Sequence, residues 1–322
     1  MTQQPLISVV ICTRNRASEL AYTLESLARD RSEVSAEVLV VDNVSTDHTV
    51  SVVRGMTDAF PRQLSLMTQP RIGHSAGRNA GVRAAVGEWI VYTDDDVEIR
   101  PGWLDGMARY FDPGVTAVGG RVIPTFLAPR PPWLDGFPIP ATLIDHGEAS
   151  FDMDERRLPM GANMAFRAAV LRPLLPEPFS EKLGHNGKIG MGWEETHLIQ
   201  QLMQGGHRIV YSPEAVIEHR IEGSRLGYEA VRRSFVHLGL GLGRVEQLRG
   251  SVPLGGRARS VVRGLRAYRR ALILRHANSR VETPSPDQAE AEFWAYAWTA
   301  SHIEKALFGL PWLSQAIATR LA

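Results

Sequence analysis

Short apolar runs rich in β-branched residues alternate with segments of helical periodicity over the amino-terminal third of the chain. Residues 6–12 (LISVVIC), 37–41 (EVLVV) and 88–93 (EWIVYT) predict three strands. A helix is predicted over about 76–86, with Ser75 as its amino-terminal cap. Buried strands that alternate with helices predict a largely parallel sheet covered by helices on both faces. Ligands bind such sheets at the carboxyl ends of the strands.

The composition indicates a globular protein rather than a disordered or disulfide-stapled one. The 322 residues are 44% hydrophobic and carry 36 Lys and Arg against 35 Asp and Glu, a formal net charge of +1. Such a balance argues against nucleic-acid binding by the whole surface. The single cysteine, Cys12, excludes an internal disulfide framework and a cysteine-rich zinc site. Neither a secretory signal nor a membrane-spanning helix is predicted, so we expect a cytoplasmic protein.

The middle of the chain has weaker sequence patterns for secondary structure. Residues 112–160 are rich in proline and predict an irregular loop excursion. Residues 192–204 predict a helix, and short strands are predicted at 207–211 and 215–217. After Gly223 only helices are predicted, so we place a domain boundary near residue 225. The resulting domains are 1–225 and 226–322.

Asp94, Asp95 and Asp96 directly follow the third predicted strand. Three adjacent carboxylates repel one another unless a cation or protons relieve the repulsion, and the end of a buried strand is a costly place to leave them unpaired. Alternation along the strand end turns Asp94 and Asp96 to the same side, where one can hold Mg²⁺ or Mn²⁺ and the other can contact a ligand hydroxyl. The alternative is a solvated turn without a ligand.

Two further loops could contact a nucleotide. The turn from Asp42 to Asp47 places short acceptors at the end of the second strand, although the same residues could simply cap a helix. The glycine-spaced loop 71–81 leads into a helix, where backbone amides and Arg78 could meet a phosphate. Neither standard glycine-rich phosphate motif is present in these places, and residues 13–16 contain no glycine.

Glu194 and Glu195 begin the helix predicted over 192–204. The amino end of a helix favours the charged form of a carboxyl group, which suits a base that must be unprotonated before it acts. Acidic residues are also common in first helical turns for stability alone. His219 follows a short predicted strand, where a single histidine is more often packed than a ligand.

Taken in order, these motifs resemble those of the family 2 glycosyltransferases, inverting enzymes that use sugar nucleotides. The motifs are the Asp42 turn, the loop with Gly73, Arg78 and Asn79, Asp94-Asp95-Asp96, Gly161-Ala162-Asn163, Trp193-Glu194-Glu195 and His219. The resemblance covers about residues 6–222. It implies a GT-A type α/β fold, with a Rossmann-like, mostly parallel sheet flanked by helices in a catalytic domain 1–225 and a carboxyl-terminal helical extension over 226–322.

The resemblance also implies roles for individual residues. Glu195 corresponds to the catalytic base, although the family usually has aspartate there and the side chain here is one methylene longer. The implied metal ligands are Asp94, Asp96 and His219, with Mg²⁺ or Mn²⁺ as the cofactor. The residues implied to bind the donor are Thr13, Arg16, Asp42, Asn43, Arg78, Asn79, Asp94, Asp95, Asn163 and Glu194.

The implied reaction transfers a hexose-type sugar from a nucleoside diphosphate to a hydroxyl of a glycan or lipid-linked acceptor, with inversion at the anomeric carbon. It would serve the synthesis of cell-surface polysaccharide or glycoconjugates. One alternative is a nucleotidyltransferase, for which we would expect a glycine- and arginine-rich triphosphate loop after the first strand. The other is a catalytically silent, glycan-binding relative.

The segment 257–275 concentrates positive charge. It contains seven arginines and no acid, so the remaining residues carry a net charge of −6, seven less than the whole chain. Four arginines and four apolar residues recur at helical spacing on opposite sides. They are Arg259, Arg263, Arg266 and Arg270, and Val261, Leu265, Tyr268 and Leu272.

Two interpretations of this segment remain open. Its apolar side could pack on the catalytic domain and leave the arginines in solvent. Alternatively, the arginines could face anionic headgroups on the inner face of the cell membrane, beside a second, aromatic helix. The aromatic residues of that helix are Phe293, Trp294, Tyr296, Trp298 and Trp312. No nucleic-acid partner is expected.

Overall fold

Strands of the described residues form one mixed sheet. The computed structural model describes residues 5–135, 139–140, 142–184, 192–250, 254–307, 316–317 and 319–321. The strands are β1 (Ile7–Thr13), β2 (Ala36–Asp42), β3 (Gln63–Thr68), β4 (Trp89–Thr93), β5 (Val97–Ile99), β6 (Val115–Phe126), β7 (Phe151–Asp152), β8 (Asn163–Arg167) and β9 (Arg208–Ile221). Their order across the sheet is β3-β2-β1-β4-β8-β6-β9-β5, and β7 pairs with β9.

Helices flank this sheet and continue beyond it along the chain. They are α1 (Ala17–Ala28), α2 (Thr49–Met56), α3 (His74–Ala84), α4 (Trp103–Ala108), α5 (Ala168–Leu171), α6 (Glu194–Gln204), α7 (Tyr228–Leu248), α8 (Leu254–Asn278) and α9 (Pro286–Leu307). Successive side chains of a strand point to opposite faces. Val9 accordingly shares a core with Leu24 of α1, whereas Val10 shares a second core with Val82 of α3. The predicted α/β fold with a helical carboxyl-terminal region is confirmed.

The strands β3, β2, β1 and β4 are parallel, as the alternating pattern predicts. The apolar runs of β1 and β2 are buried on both faces of the sheet, which explains their continuous hydrophobicity. Thr13 at the end of β1 pairs with Asp42 at the end of β2. The carboxyl ends of these strands therefore meet at one edge.

The other half of the sheet is antiparallel, and there the sequence-based prediction is partly wrong. Residues 115–126, predicted as irregular, form β6, and the two short strands predicted at 207–217 are one strand, β9. Gly120 weakens the sequence pattern of β6, because glycine is uncommon in strands. The structure requires a glycine at this position, since a Cβ there would lie 2.3 Å from the Asn163 side chain. Pro213 interrupts the signal of β9, where the Ser212 hydroxyl accepts the hydrogen bond of the Ala215 amide.

The amino end of α3 also differs from the prediction. Gly73, not Ser75, is the residue that precedes the helix, and its φ of 151° is one that residues with a side chain rarely adopt. The Ser75 hydroxyl instead donates to the backbone carbonyl of Ser180, 3.0 Å away. A glycine at this position therefore sets the entry into α3, and Ser75 ties the helix to a later loop.

The chain divides into two compact units. One consists of the described residues of Met1–Thr125, Thr142–Gly187 and Glu194–Arg220; the other consists of those of Phe126–Ala141, Lys188–Trp193 and Ile221–Ala322. The first contains the sheet core, and the second contains α7, α8 and α9. The functional domain boundary near residue 225 stays a prediction. None of the described helices is long and apolar enough to cross a membrane.

Glycines allow α7 to pack closely on α9. A Cβ at Gly239 would lie 1.9 Å from the backbone carbonyl oxygen of Ala297, and one at Gly243 would lie 2.5 Å from that of Ser301. The two glycines are one helical turn apart and therefore lie on the same side of α7. Since the obstacles are backbone atoms, a side chain at either position would force the helices apart.

Gly239→Ala should destabilise the protein, because the added methyl group overpacks this contact at a cost of about 1–3 kcal/mol. Gly55→Ala in α2 is the matched control, since a Cβ there meets nothing within 4 Å. It should stabilise the protein by about 0.5–1 kcal/mol through helix propensity. Thermal unfolding of both variants measures the difference. Equal shifts in the same direction would contradict the close contact between α7 and α9.

Candidate functional site

The candidate site lies where the parallel strands end. Thr13 and Asp42 are buried at the ends of β1 and β2, and Asp94, Asp95 and Asp96 follow β4. The Asp42 carboxylate accepts the backbone N–H of Ser45 at 3.2 Å, which closes the turn after β2. The predicted strand-end residues are therefore brought to one edge of the sheet.

Asp94, Asp96 and His219 form a cluster with the geometry of a cation site. One ligand atom of each lies within 4.8 Å of the other two. His219 reaches the cluster because β5 pairs with β9, with Val97 opposite His219, and its Nε2 lies 3.3 Å from Asp96 Oδ1. Two carboxylates and an imidazole are a donor set that suits a divalent cation such as Mn²⁺ or Mg²⁺.

Arg16 lies against the same acidic triplet. Its Nε is 3.1 Å from Asp95 Oδ1, and its terminal nitrogen is 2.9 Å from Asp96 Oδ2. Burial raises the pKa of Asp95 to about 7, and the charge of Arg16 opposes this shift while Asp96 adds to it. Arg16 thus offsets part of the repulsion within the triplet, and about a third of its side chain remains exposed to solvent.

Arg78 joins the triplet to the two glutamates of α6. Its guanidinium is buried, 2.9 Å from Glu194, 3.3 Å from Glu195 and 3.9 Å from Asp94. Its place requires a glycine at 161, because a Cβ there would lie 2.2 Å from an Arg78 nitrogen. Burial opposes the charge of Arg78, but the surrounding carboxylates outweigh that effect and hold its pKa above the ordinary value.

The two adjacent glutamates have opposite pKa shifts. Burial raises the pKa of Glu194, but the hydrogen bond with His74 at 3.0 Å and the charge of Arg78 prevail and lower it to about 2. Burial raises the pKa of Glu195 to about 7, and the negative charge of Glu194 adds to the shift. Glu194 is therefore a fixed anion, whereas Glu195 can gain or lose a proton near neutral pH.

Three predicted donor-binding asparagines shape the backbone around the site. The Asn43 side chain accepts the N–H of Gly73 and donates to two loop carbonyls. Asn79 is fully buried and pairs with the backbone of Phe179 through both amide atoms. Asn163 is also fully buried, donates to two backbone carbonyls and accepts the indole N–H of Trp103. Their predicted contacts with the donor stay predictions.

His74 is a site residue that the sequence analysis missed. It precedes Arg78 by four residues on α3, so both side chains lie on the same side of the helix. Its Nδ1 lies 3.0 Å from Glu194 and its Nε2 lies 4.0 Å from Asp94. The i, i+4 pairing of two basic residues in a loop-to-helix motif could have indicated a shared anionic partner.

The same substitution in the two glutamates should change stability in opposite directions. The depressed pKa of Glu194 stabilises the fold above pH 4.5, so Glu194→Gln should destabilise it at pH 8. The raised pKa of Glu195 costs stability as pH rises from 4.5 to about 7, so Glu195→Gln should stabilise it at pH 8. Each effect should be on the order of 1–3 kcal/mol.

Chemical denaturation at pH 5 and pH 8 measures the free energy of unfolding of both variants and of the unmodified protein. The advantage of Glu195→Gln over the unmodified protein should grow between the two pH values, because only the unmodified protein must ionise a buried carboxyl group. Destabilisation by both substitutions to the same extent at pH 8 would contradict the assigned ionisation states.

Several known proteins are similar to this chain in sequence. Residues 8–175 match the sequence model of the family described as glycosyl transferase family 2. The glucosyl-dolichyl phosphate glucuronosyltransferase of Haloferax volcanii is 28% identical over 242 residues, which cover 71% of this chain and 74% of that protein. The succinoglycan biosynthesis protein ExoO of Rhizobium meliloti is 26% identical over 236 residues, which cover 68% of this chain and 62% of that protein.

Solved structures show the same fold. The mannosyltransferase PcManGT of Pyrobaculum calidifontis, in complex with GDP-Man and Mn²⁺, has a TM-score of 0.55 at 19% identity, over 100% of this chain and 82% of that one. TarS 1–349 of S. aureus, in complex with UDP-GlcNAc, has a TM-score of 0.55 at 17% identity, over 95% and 92%. The predicted GT-A type is confirmed. Since the family match spans more than half of the chain, the protein belongs to glycosyl transferase family 2.

Proposed function

We propose that this glycosyltransferase moves a hexose from a nucleoside-diphosphate sugar to a hydroxyl of a glycan or lipid-linked acceptor, with inversion. The observation that carries the proposal is the position of Arg78, whose guanidinium lies 3.9 Å from Asp94 and 3.3 Å from Glu195. One residue thereby joins a candidate diphosphate site to a candidate base. The relatives named for glycolipid and succinoglycan synthesis support a role in cell-surface polysaccharide or glycoconjugate synthesis.

Asp94, Asp96 and His219 would hold the divalent metal. The two carboxylates and the imidazole nitrogen provide the donor set, and the complex of PcManGT with Mn²⁺ supports such a cofactor in this fold. When bound, a divalent ion offsets the negative charge that a departing diphosphate gains. Arg16 lies against the same carboxylates, and its positive charge would favour a diphosphate beside them.

The nucleotide would bind along the edge where the strands end. Thr13 and Asp42 lie side by side there, and the Asp42 carboxylate would accept a hydrogen bond from a ribose hydroxyl or a base N–H. Asn43, Asn79 and Asn163 would act indirectly, by holding the loops that line this edge. GDP-Man and UDP-GlcNAc in the two solved relatives of this fold support a nucleoside-diphosphate sugar as the donor.

Glu195 would act as the general base. The acceptor oxygen forms a bond to the anomeric carbon while its proton moves to the Glu195 carboxylate. The bond to the diphosphate breaks at the same time, and its electron pair leaves with the diphosphate. A single displacement inverts the anomeric carbon. The pKa of about 7 matches this role, because such a carboxylate is more basic than an ordinary one and is about half ionised at neutral pH.

Glu195→Gln should lower kcat by about 10²–10⁴-fold while nucleotide affinity stays within about twofold, since a base acts in the transition state. Transfer assays with a panel of UDP-, GDP-, dTDP- and CMP-sugars first identify the donor. The rate of the unmodified enzyme should rise with pH through about 7, because Glu195 must be ionised. Glu195→Asp is the control that keeps a carboxylate and should retain measurable turnover.

Glu194→Gln should impair catalysis less than Glu195→Gln does. It should destabilise the fold, since Glu194 is a buried partner of Arg78, and it should move the pH profile to lower pH, since the charge of Glu194 contributes to the raised pKa of Glu195. If Glu194→Gln removed turnover while Glu195→Gln retained it, the base would be Glu194. If no sugar nucleotide were turned over or bound, the catalytically silent alternative would replace the proposal.

Asp96→Asn should remove most of the enhancement that Mn²⁺ gives to nucleotide binding, because Asp96 is a buried member of the cation cluster. Calorimetry of nucleotide binding with and without Mn²⁺ measures this enhancement. Asp58→Asn, an exposed residue outside the cluster, is the control with the same charge change. An enhancement that is equal in both variants would contradict the metal assignment.

A further inference from the structure

The arginine-rich helix α8 packs through a stripe of small and polar residues. Ser260, Gly264, Ala271 and Asn278 are the buried residues of its described side chains, and they recur at helical spacing on the side that faces α9. A Cβ at Gly264 would lie 3.3 Å from the His302 side chain of α9. The packed side is therefore neither the arginine side nor the apolar side that the sequence predicts.

Six large apolar or aromatic residues of α8 are exposed to solvent. Their exposed fractions range from 38% for Tyr268 to 64% for Leu265. The residues are Val261, Val262, Leu265, Tyr268, Leu272 and Ile273. Within its own unit, therefore, the apolar side of α8 is not the packed side. Water does not stabilise such residues, so six of them on one helix indicate a contact surface.

A groove on the arginine side of α8 places aromatic residues beside the arginines. It has a volume of about 450 Å³ and is lined by Arg266 and Arg270 of α8 and by Trp294, Trp298 and His302 of α9. The two tryptophan rings lie 6.4 Å apart, and half of Trp298 is exposed. Tryptophan is the side chain that most favours the boundary between lipid headgroups and acyl chains. Trp312 lies outside the described residues.

We infer that the exposed side of α8, with the adjoining groove, docks on the surface of an anionic lipid bilayer. The exposed arginines of α8, other than Arg275, which pairs with Glu229, would contact headgroup phosphates. Leu265 and Ile273 would enter the region below the headgroups. The remainder of the chain carries a net charge of −6, so this segment supplies the net attraction to an anionic surface.

A nucleic acid and a second copy of this chain fit this surface less well than an anionic bilayer does. A nucleic acid would use the arginines but would gain nothing from Leu265 or Ile273, which are 64% and 60% exposed. A second copy of this chain would cover the apolar residues but would bring two acid-free arginine clusters together. An anionic bilayer satisfies both the charged and the apolar residues. The location on the inner face of the cell membrane stays a prediction.

Vesicle co-sedimentation tests the inference. The full chain should pellet with vesicles of phosphatidylglycerol and phosphatidylcholine in equal parts, and stay in solution with phosphatidylcholine alone. Replacing Arg259, Arg263, Arg266 and Arg270 with Gln should weaken binding at least about 100-fold, since each arginine near an anionic surface contributes about fivefold. Leu265→Ser with Ile273→Ser should leave binding at low salt but abolish it at physiological salt, where screening weakens the arginine attraction.

A matched variant controls for net charge. It replaces four exposed arginines of the other unit with Gln and should bind vesicles like the unmodified protein. These are Arg29, Arg31, Arg54 and Arg156. Circular dichroism confirms that all variants fold, which we expect because every substituted side chain is exposed. The vesicle measurement needs no sugar nucleotide, so its outcome is independent of the proposed transferase reaction.

Three outcomes would overturn the inference. The first is no sedimentation of the unmodified protein with anionic vesicles at low salt. The second is an equal loss of binding in the α8 arginine variant and the matched variant, which would indicate a general charge effect. The third is concentration-dependent self-association, seen by analytical ultracentrifugation and abolished by Leu265→Ser with Ile273→Ser while vesicle binding persists, which would assign the apolar residues to a second copy.

Discussion

Arg78 is the buried charge on which the candidate site depends. A guanidinium in the protein interior is costly unless carboxylates satisfy it, and Glu194, Glu195 and Asp94 surround this one. One positive charge does not compensate three negative ones. Glu194 has a second basic partner, His74, and stays ionised, whereas Glu195 lacks that hydrogen bond and its pKa rises. The contrast that suits Glu195 for proton transfer therefore follows from the packing around Arg78.

The sequence predicts the parallel half of the sheet better than the antiparallel half, for a physical reason. Strands β1 and β2 are buried on both faces, so residues 6–12 and 37–41 are continuous apolar runs that local pattern analysis detects. Strand β6 instead contains Gly120, because the Asn163 amide of another strand fills the space of a side chain. Such a long-range contact weakens the local signal, and only the folded structure reveals why.

The candidate site lies where strands end, and its last member is added by pairing between strands that are distant in the sequence. The position of Asp94 and Asp96 after β4 was predictable from the sequence alone. His219 joins them through the antiparallel pairing of β5 with β9, which has no local sequence pattern. For Asn79 the sequence does not distinguish a ligand contact from a backbone contact, since an amide side chain offers the same donors and acceptor to both. In the structure each of these atoms makes one hydrogen bond with the backbone of Phe179, and contact with the donor stays a prediction.

The arginine-rich helix shows that an amphipathic pattern does not by itself identify the packed side. Large apolar residues would hold α8 away from α9, whereas Gly264 and Ala271 let the backbones approach closely. Packing through small residues leaves Leu265 and Ile273 in water, which is unfavourable. The concentration of seven arginines nearby is unfavourable as well, through their mutual repulsion. Contact with the inferred anionic bilayer would remove the apolar residues from water and pair the arginines with lipid phosphates. Both features would then favour the bound state.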